Sequence, residues 1–388
     1  MHNKLSEREK RILTLYFTGL VALLFIYLIL GVFKPGLAAL ASGPQTEIAV
    51  LVPLSGPDAD LGKAVVQAAT LAFNQFNQES GTPRLTVRSY DSGSTPDEAA
   101  SAALAAANNP ATAAVLGPLD ARQVAAALKY TEKRQLAVIT PASTAPVLPG
   151  ARGLYRIPAS DERQAEAIIN FISTGLRLKN IFIIYETSPV AAQFSSWFQE
   201  RLANRLAITG AAKIDSSAAP AGLIAQIEAV NVQAIVYIGG ADVARVAAAA
   251  VAGLKTRLPL VGIDLLMDPK LSALPADVPV HYTSAILALG AAQKNWVKDL
   301  FKDESSQQTL NLPFAYETIL AARILSTTLR GGAAEQARST AWNSLPRLSM
   351  SLGGVNYQFR NGQLEPQTMY MYRIDPQSNA RSIVETYR

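Results

Sequence analysis

From residue 47 onward the chain alternates short apolar runs of strand length with Ala-rich stretches of helical period. That alternation leaves few architectures open. Strands buried on both faces need helices above and below them, and parallel neighbours need a crossover of a dozen or more residues. The predicted fold class is therefore α/β. In the first half, strands are expected at Glu47–Val52, Leu85–Tyr90, Ala113–Leu116 and Ala137–Ile139. Helices are expected between them at Asp60–Asn77, Pro96–Asn108 and Asp120–Lys133, the second opened by Thr95 as cap and Pro96 in the first turn. A second series predicts strands at Asn180–Tyr185, Ala234–Ile238 and Pro259–Gly262 and helices at Val190–Arg205, Ala221–Val230 and Asp242–Ala252. Two such series predict two lobes. Ile157-Pro158-Ala159-Ser160-Asp161 reads as the connection between them, with Ser160 or Asp161 capping the next helix. Helices follow at Lys294–Lys302 and Pro313–Arg330, and the tail reads as antiparallel strands at 355–359 and 368–372 with Asn361-Gly362 as a hairpin turn.

The 388 residues include no cysteine, which excludes disulfides, thiolate metal sites, a cysteine nucleophile and a lipid attached to cysteine. With only His2 and His281, a multi-histidine metal centre is out of reach and any Ser/His/Asp triad would have to use His281, which reads as structural. The formal charge of +5 sits mostly at the front. Residues 1–44 hold five Lys or Arg against two Glu, and the nearly neutral body shows no basic stripe interleaved with aromatics, so no nucleic-acid partner is expected.

The 21 residues from Ile12 to Val32 carry no charge, enough to cross a hydrocarbon core of about 30 Å. Four Lys or Arg precede this run and one follows, which places the N-terminus in the cytoplasm and the body outside. The expected location is the inner or plasma membrane, single-pass, with residues 12–32 in the bilayer. Ala39-Leu40-Ala41 also offers a cleavage pattern that would release the body, and either reading exports it.

In open α/β sheets ligands bind beyond the carboxyl ends of the strands. Here those ends read Pro53-Leu54-Ser55-Gly56, Asp91-Ser92-Gly93-Ser94, Gly117-Pro118-Leu119-Asp120 and Thr140-Pro141-Ala142-Ser143-Thr144, then Glu186-Thr187-Ser188, Gly239-Gly240-Ala241-Asp242 and Asp264. Small polar loops of this kind offer backbone N–H groups and hydroxyls to a small anionic group, although any doubly wound fold also needs them as turns and caps. Enzyme motifs fail. Gly56 to Ala64 has the wrong glycine spacing for a phosphate loop, and no G-x-S-x-G or H-E-x-x-H occurs. Asp58 with Asp60 and Asp161 with Glu162 read as charges at helix starts rather than acid/base pairs. No catalytic residue, metal or cofactor is expected.

The run Ile48-Ala49-Val50-Leu51-Val52-Pro53-Leu54-Ser55-Gly56-Pro57, then Leu61-Gly62, Asp91, Gly117 and Thr140-Pro141-Ala142-Ser143-Thr144-Ala145-Pro146, resembles type I periplasmic binding proteins of the branched-chain amino acid class. Tyr237-Ile238-Gly239-Gly240 and Gly262-Ile263-Asp264 fall where that family ends its second-lobe strands. The resemblance implies two lobes with three crossovers: lobe 1 from 45–160 and 284–350, lobe 2 from 161–283 and 351–388, after a tip, anchor and linker over 1–44. It further implies a small polar ligand, such as an amino acid, delivered to a membrane permease. By position, the Thr144 N–H would meet a ligand carboxylate, and the Ala142 carbonyl and Thr144 hydroxyl would meet an ammonium, with Asp264 completing the ammonium site. Ser55, Gly117 and Ser143 lie on the same loops. Ala121 stands where the family has a serine, and Leu61, Val190 and Ala241 replace aromatic walls, so the pocket reads as stripped. Lipoprotein activators of peptidoglycan synthases are also similar at the first strand and at Gly117-Pro118-Leu119-Asp120, which keeps open an interaction or regulatory subunit with a vestigial site.

Overall fold

The computed structural model describes residues 46–80, 85–144, 151–263, 278–284, 291–329, 333–375, 378 and 380–387, together with 8, 11 and 16–21 near the N-terminus. Residues up to Gln45 form a unit separate from the body. Most of the expected span over 12–32 lies outside the described residues, and among the described residues no helix is long and apolar enough to cross a membrane.

The body holds two sheets. The first contains β1 (Thr46–Val52), β2 (Leu85–Asp91), β3 (Thr112–Leu116), β4 (Ala137–Thr140) and β5 (Leu154–Arg156), all parallel, with α1 (Ala59–Ser80), α2 (Pro96–Asn108) and α3 (Ala121–Thr131) between them. β1 is buried along its whole length, and its pleat divides it between two cores. Ile48, Val50 and Val52 pack with Phe73 and Phe76 of α1, while Ala49 and Leu51 pack with Ala103 and Ala107 of α2 and Val124 and Leu128 of α3. α2 opens with the expected Pro96 and closes a reciprocal cap, in which the Thr95 hydroxyl accepts from the Glu98 N–H and the Glu98 carboxylate accepts from the Thr95 N–H.

The second sheet contains β6 (Asn180–Glu186), β7 (Ala207–Ile214), β8 (Ala234–Ile238), β9 (Leu260–Gly262) and β10 (Val280–Ser284), also parallel. α4 (Asp161–Asn170) and α5 (Pro189–Arg201) cover one face, and α6 (Pro220–Glu228) and α7 (Ala241–Ala252) cover the other. The chain then returns to the first lobe through α8 (Ala291–Leu300), α9 (Glu304–Thr309), α10 (Ala315–Thr328) and α11 (Ala334–Ser344), with Val297 of α8 and Ile319 to Leu325 of α10 joining the α1 core.

The tail departs from expectation. β11 (Ser349–Leu352), β12 (Val355–Arg360) and β13 (Gln363–Glu365) extend the first sheet, whose order is β11-β12-β13-β5-β4-β3-β1-β2. Asn361 and Gly362, both at positive φ (49° and 74°), turn β12 into the three-residue β13, and Pro366 stops it because proline has no N–H for the ladder. Lobe 1 therefore reaches Glu365 rather than ending at 350. Only β14 (Met369–Ile374) and β15 (Arg381–Tyr387) return to lobe 2, whose order is β15-β14-β10-β9-β8-β6-β7. The alternating run at 368–372 belongs to β14, so the Asn361-Gly362 turn joins a different pair of strands than the pattern suggested. Three connections link the lobes, at 157–160, at 285–290 outside the described residues, and at 366–368.

Candidate functional site

In each sheet the chain first adds a strand on one side of the leading strand and then crosses to the other side. The order β3-β1-β2 in lobe 1 and β8-β6-β7 in lobe 2 puts the crevices between the carboxyl ends of β1 and β3 and of β6 and β8. Loops leaving those ends diverge to opposite faces, and the gap between them admits a ligand.

In lobe 1 the crevice is flanked by Ser55 after β1 and Gly117 after β3, with Ala121 opening α3 and Ala142 to Thr144 following β4. Gly117 has φ +98°, and a Cβ there would collide with the Leu51 carbonyl oxygen, so only glycine lets β3 lie this close to β1. Thr140 shapes the next loop. Its hydroxyl donates to the Pro118 carbonyl at 2.7 Å and accepts from the Ser143 N–H at 3.1 Å, which stitches the β3 and β4 loops together. Ser143 is buried, while Ala142 and Thr144 stay half-exposed. Thr144 is held from behind: its carbonyl accepts from Arg156 Nη1 and from the Asp161 N–H, both at 2.9 Å, and its hydroxyl bonds the Asp161 carboxyl. A hydroxyl that donates to a carboxylate still presents lone pairs, so the Thr144 oxygen can accept from an ammonium.

Ser55 and Ala121 contribute differently from expectation. Asp91 accepts from the N–H groups of Leu54 (2.8 Å) and Gly93 (2.9 Å) and from Ser55, and these bonds, Leu54 foremost, hold its carboxyl below the usual range against the effect of burial. Ser55 is thus committed to Asp91. Ahead of Ala121, Asp120 caps α3 by accepting from the Arg122 and Gln123 N–H groups at 2.9 and 3.3 Å, so this helix start is already occupied by a carboxylate of the chain itself. Buried Gln123 then donates to the carbonyls of Ser92 and Gly93, tying α3 to the β2 loop.

In lobe 2, Glu186 ends β6, and its carboxylate accepts from the Gly240 N–H at 2.8 Å while the Tyr237 hydroxyl donates to the Gly240 carbonyl at 2.7 Å. Ser188 caps α5 by accepting from the Ala191 N–H at 3.2 Å. Val190 and Ala241 lie in the first turns of α5 and α7, the two helices that start at this crevice. Asp264 lies outside the described residues. Among the described residues, no group of three His, Cys, Asp or Glu is placed to hold a metal ion.

The structure brings together Ser55, Gly117, Ala121 and Ala142 to Thr144 on one edge of lobe 1. Sequence reasoning named Thr140 only as the start of its loop and missed Arg156, and it read Asp161 as a cap or a charge at a helix start. Asp161 does open α4, yet it is also 91% buried against Thr144.

A family profile described as periplasmic binding protein matches residues 45–380. The chain belongs to the periplasmic binding protein family. That membership covers the two-lobed body up to the start of β15, and it is a family of binding proteins rather than enzymes. No curated protein matches significantly. Solved structures share the fold at low identity. The branched-chain amino acid transporter substrate-binding protein LivJ of Streptococcus pneumoniae, in complex with isoleucine, is 18% identical with a TM-score of 0.67, over 88% of this chain and 99% of that one. An ABC transporter substrate-binding protein of Desulfitobacterium hafniense, complexed with Leu, is 15% identical with a TM-score of 0.71, over 88% and 100%. The leucine-binding protein LivK of Thermotoga maritima is 15% identical with a TM-score of 0.67, over 88% and 99%.

Proposed function

We propose that the chain is a membrane-tethered, extracytoplasmic solute-binding protein that captures a small polar ligand, an amino acid or a related compound, between its lobes for an ABC-type permease. The loop at 140–144 carries this reading: Thr140 folds it so that Ala142 and Thr144 remain half-exposed at the lobe 1 crevice, with the Thr144 oxygen available as an acceptor. Proteins of the same fold that hold isoleucine and leucine support it. On this reading Gly117 and Thr144 line the first-lobe wall, Val190, Ala241 and Asp264 the second, and residues 12–32 anchor the body outside the cell.

One observation favours a second reading. Asp120 already fills the α3 N-terminus and Ala121 has no hydroxyl, so a ligand carboxylate loses donors there. A binding-protein-like subunit of a membrane or cell-envelope complex, similar to the peptidoglycan-synthase activators, would need none. Thermal unfolding of residues 45–388 with L-leucine, L-isoleucine, short amides and small carboxylates decides between them. A ligand at a hundredfold its Kd stabilises by about 2.7 kcal/mol, and Asp264→Ala should lose that shift. No shift with any compound would refute capture of these solutes and favour the subunit reading.

A further inference from the structure

The first connection between the lobes begins and ends in buried charge. Arg156, the last residue of β5 in lobe 1, is 5% exposed, and Asp161, the first residue of α4 in lobe 2, is 9% exposed. Four residues separate them, and Thr144 lies between them in space. The Arg156 guanidinium donates through Nη1 to the Thr144 carbonyl at 2.9 Å and through Nε to Gln363 Oε1 at 2.6 Å. Gln363 sits on β13, just ahead of the third connection, and its Nε2 donates at 2.9 Å to the carbonyl of Pro158 inside the first. On the lobe 2 side, Gln164 Nε2 donates to Asp161 Oδ1 at 3.2 Å, and Gln164 Oε1 accepts from Thr283 Oγ1 at 3.0 Å on β10, just ahead of the second connection.

These bonds form one continuous line, Gln363 to Arg156 to Thr144 to Asp161 to Gln164 to Thr283, that adjoins all three inter-lobe connections. Ionisable groups this deep are costly to desolvate and persist there only when their hydrogen bonds are filled. Burial lowers the Arg156 pKa to about 10 even with Asp161 and Glu162 opposing that fall, and burial pushes the Asp161 carboxyl up against the pull of Thr144 and Arg156.

We infer that Arg156 is a positioning residue, which holds the Thr144 carbonyl from the lobe 1 side while Asp161, in the first turn of α4, holds Thr144 from lobe 2, so that loop geometry and lobe angle are set together. Rotation about the first connection cannot proceed without either carrying Thr144 along or breaking its bonds to Arg156 or Asp161. The guanidinium suits this place because it donates from two nitrogens held in one rigid plane, Nη1 to Thr144 and Nε to Gln363, whereas an ammonium must donate from a single nitrogen at the end of a flexible stem.

The test is amide hydrogen exchange of the full chain in detergent micelles, comparing wild type with Arg156→Met and Arg156→Lys. In Arg156→Met, peptides covering 140–144 and 157–164 should exchange at least tenfold faster while β1 and β6 keep wild-type protection; Arg156→Lys should fall between. Unchanged exchange at those two segments would overturn the inference. So would a uniform rise across lobe 1, which would mean that Arg156 only stabilises the fold. If Arg156→Met does not fold, Gln363→Met frees the guanidinium from β13 and should show the same two segments loosened to a smaller extent. A leucine titration forms the second arm and rests on the solute-binding reading. Where wild type binds leucine, Arg156→Met should raise Kd at least tenfold, and an equal Kd would overturn the inference. Should wild type not bind leucine, that ligand assignment falls while the exchange pattern still decides the role of Arg156.

Discussion

His281 illustrates how burial alone sets a side chain's behaviour. It lies on β10, 8% exposed, with its ring 4.9 Å from Phe171, and its buried Nδ1 has no hydrogen-bond partner among the described residues. Burial, reinforced by the charge of Arg373 across the β10–β14 pair, lowers its pKa to about 4. The folded chain therefore refuses a proton that the unfolded chain accepts near pH 6.5. Stability is complete above pH 6.5 and falls as the pH drops from there toward 4, by up to about 3 kcal/mol. Urea midpoints of wild type and His281→Leu at pH 7.5 and 4.5 check this, and the variant should lose less over the interval. The sequence reading took His281 as structural because it follows Pro279 and precedes a strand-like run. It could not reveal the bond from Thr140 to Pro118 or the role of Arg156 beside Gln363, which reach 22 and 207 positions along the chain and leave no periodic trace. Small residues in the strand-end loops were legible for the opposite reason, since each loop's composition reflects its own backbone geometry.

At the scale of elements, legibility followed burial. β1, β3, β6 and β8 are apolar runs largely closed to solvent and were found nearly to the residue, and α2 matched its predicted bounds. β7 and β15 were missed because they are edge strands whose exposed residues carry no apolar alternation. β5 and β13, three residues each, are too short to show a pattern. Two helix starts yield predictions. Gly62 lies in the first turn of α1, where a Cβ would collide with the Pro53 carbonyl oxygen, so Gly62→Ala must push the helix off the β1 loop. A loss of about 3 kcal/mol is expected by denaturant unfolding, the upper range for overpacking. Asp120→Ala removes the cap of α3 and should cost about 1 kcal/mol in the same assay, without changing the denaturant slope.

The whole molecule is held by strands far apart in sequence. β5 occupies its place in the first sheet between β4 and β13, and β13 arrives only at Gln363. Truncation after Asp375 removes only β15, an edge strand exposed over much of its length, and should leave a soluble body with cooperative unfolding. Truncation after Gly362 removes β13, β14, β15 and the Gln363 partner of Arg156, and should yield aggregated material by size exclusion. The same arrangement governs the order of assembly. Closing β13 onto β5 joins residues about two hundred positions apart, the kind of contact that loop entropy delays most. A nascent chain cannot complete its first lobe until residue 365 has been made, by which time lobe 2 lacks only its last two strands. The polypeptide thus stays unfinished through nearly all of its synthesis, a state compatible with threading through a translocation channel before it folds.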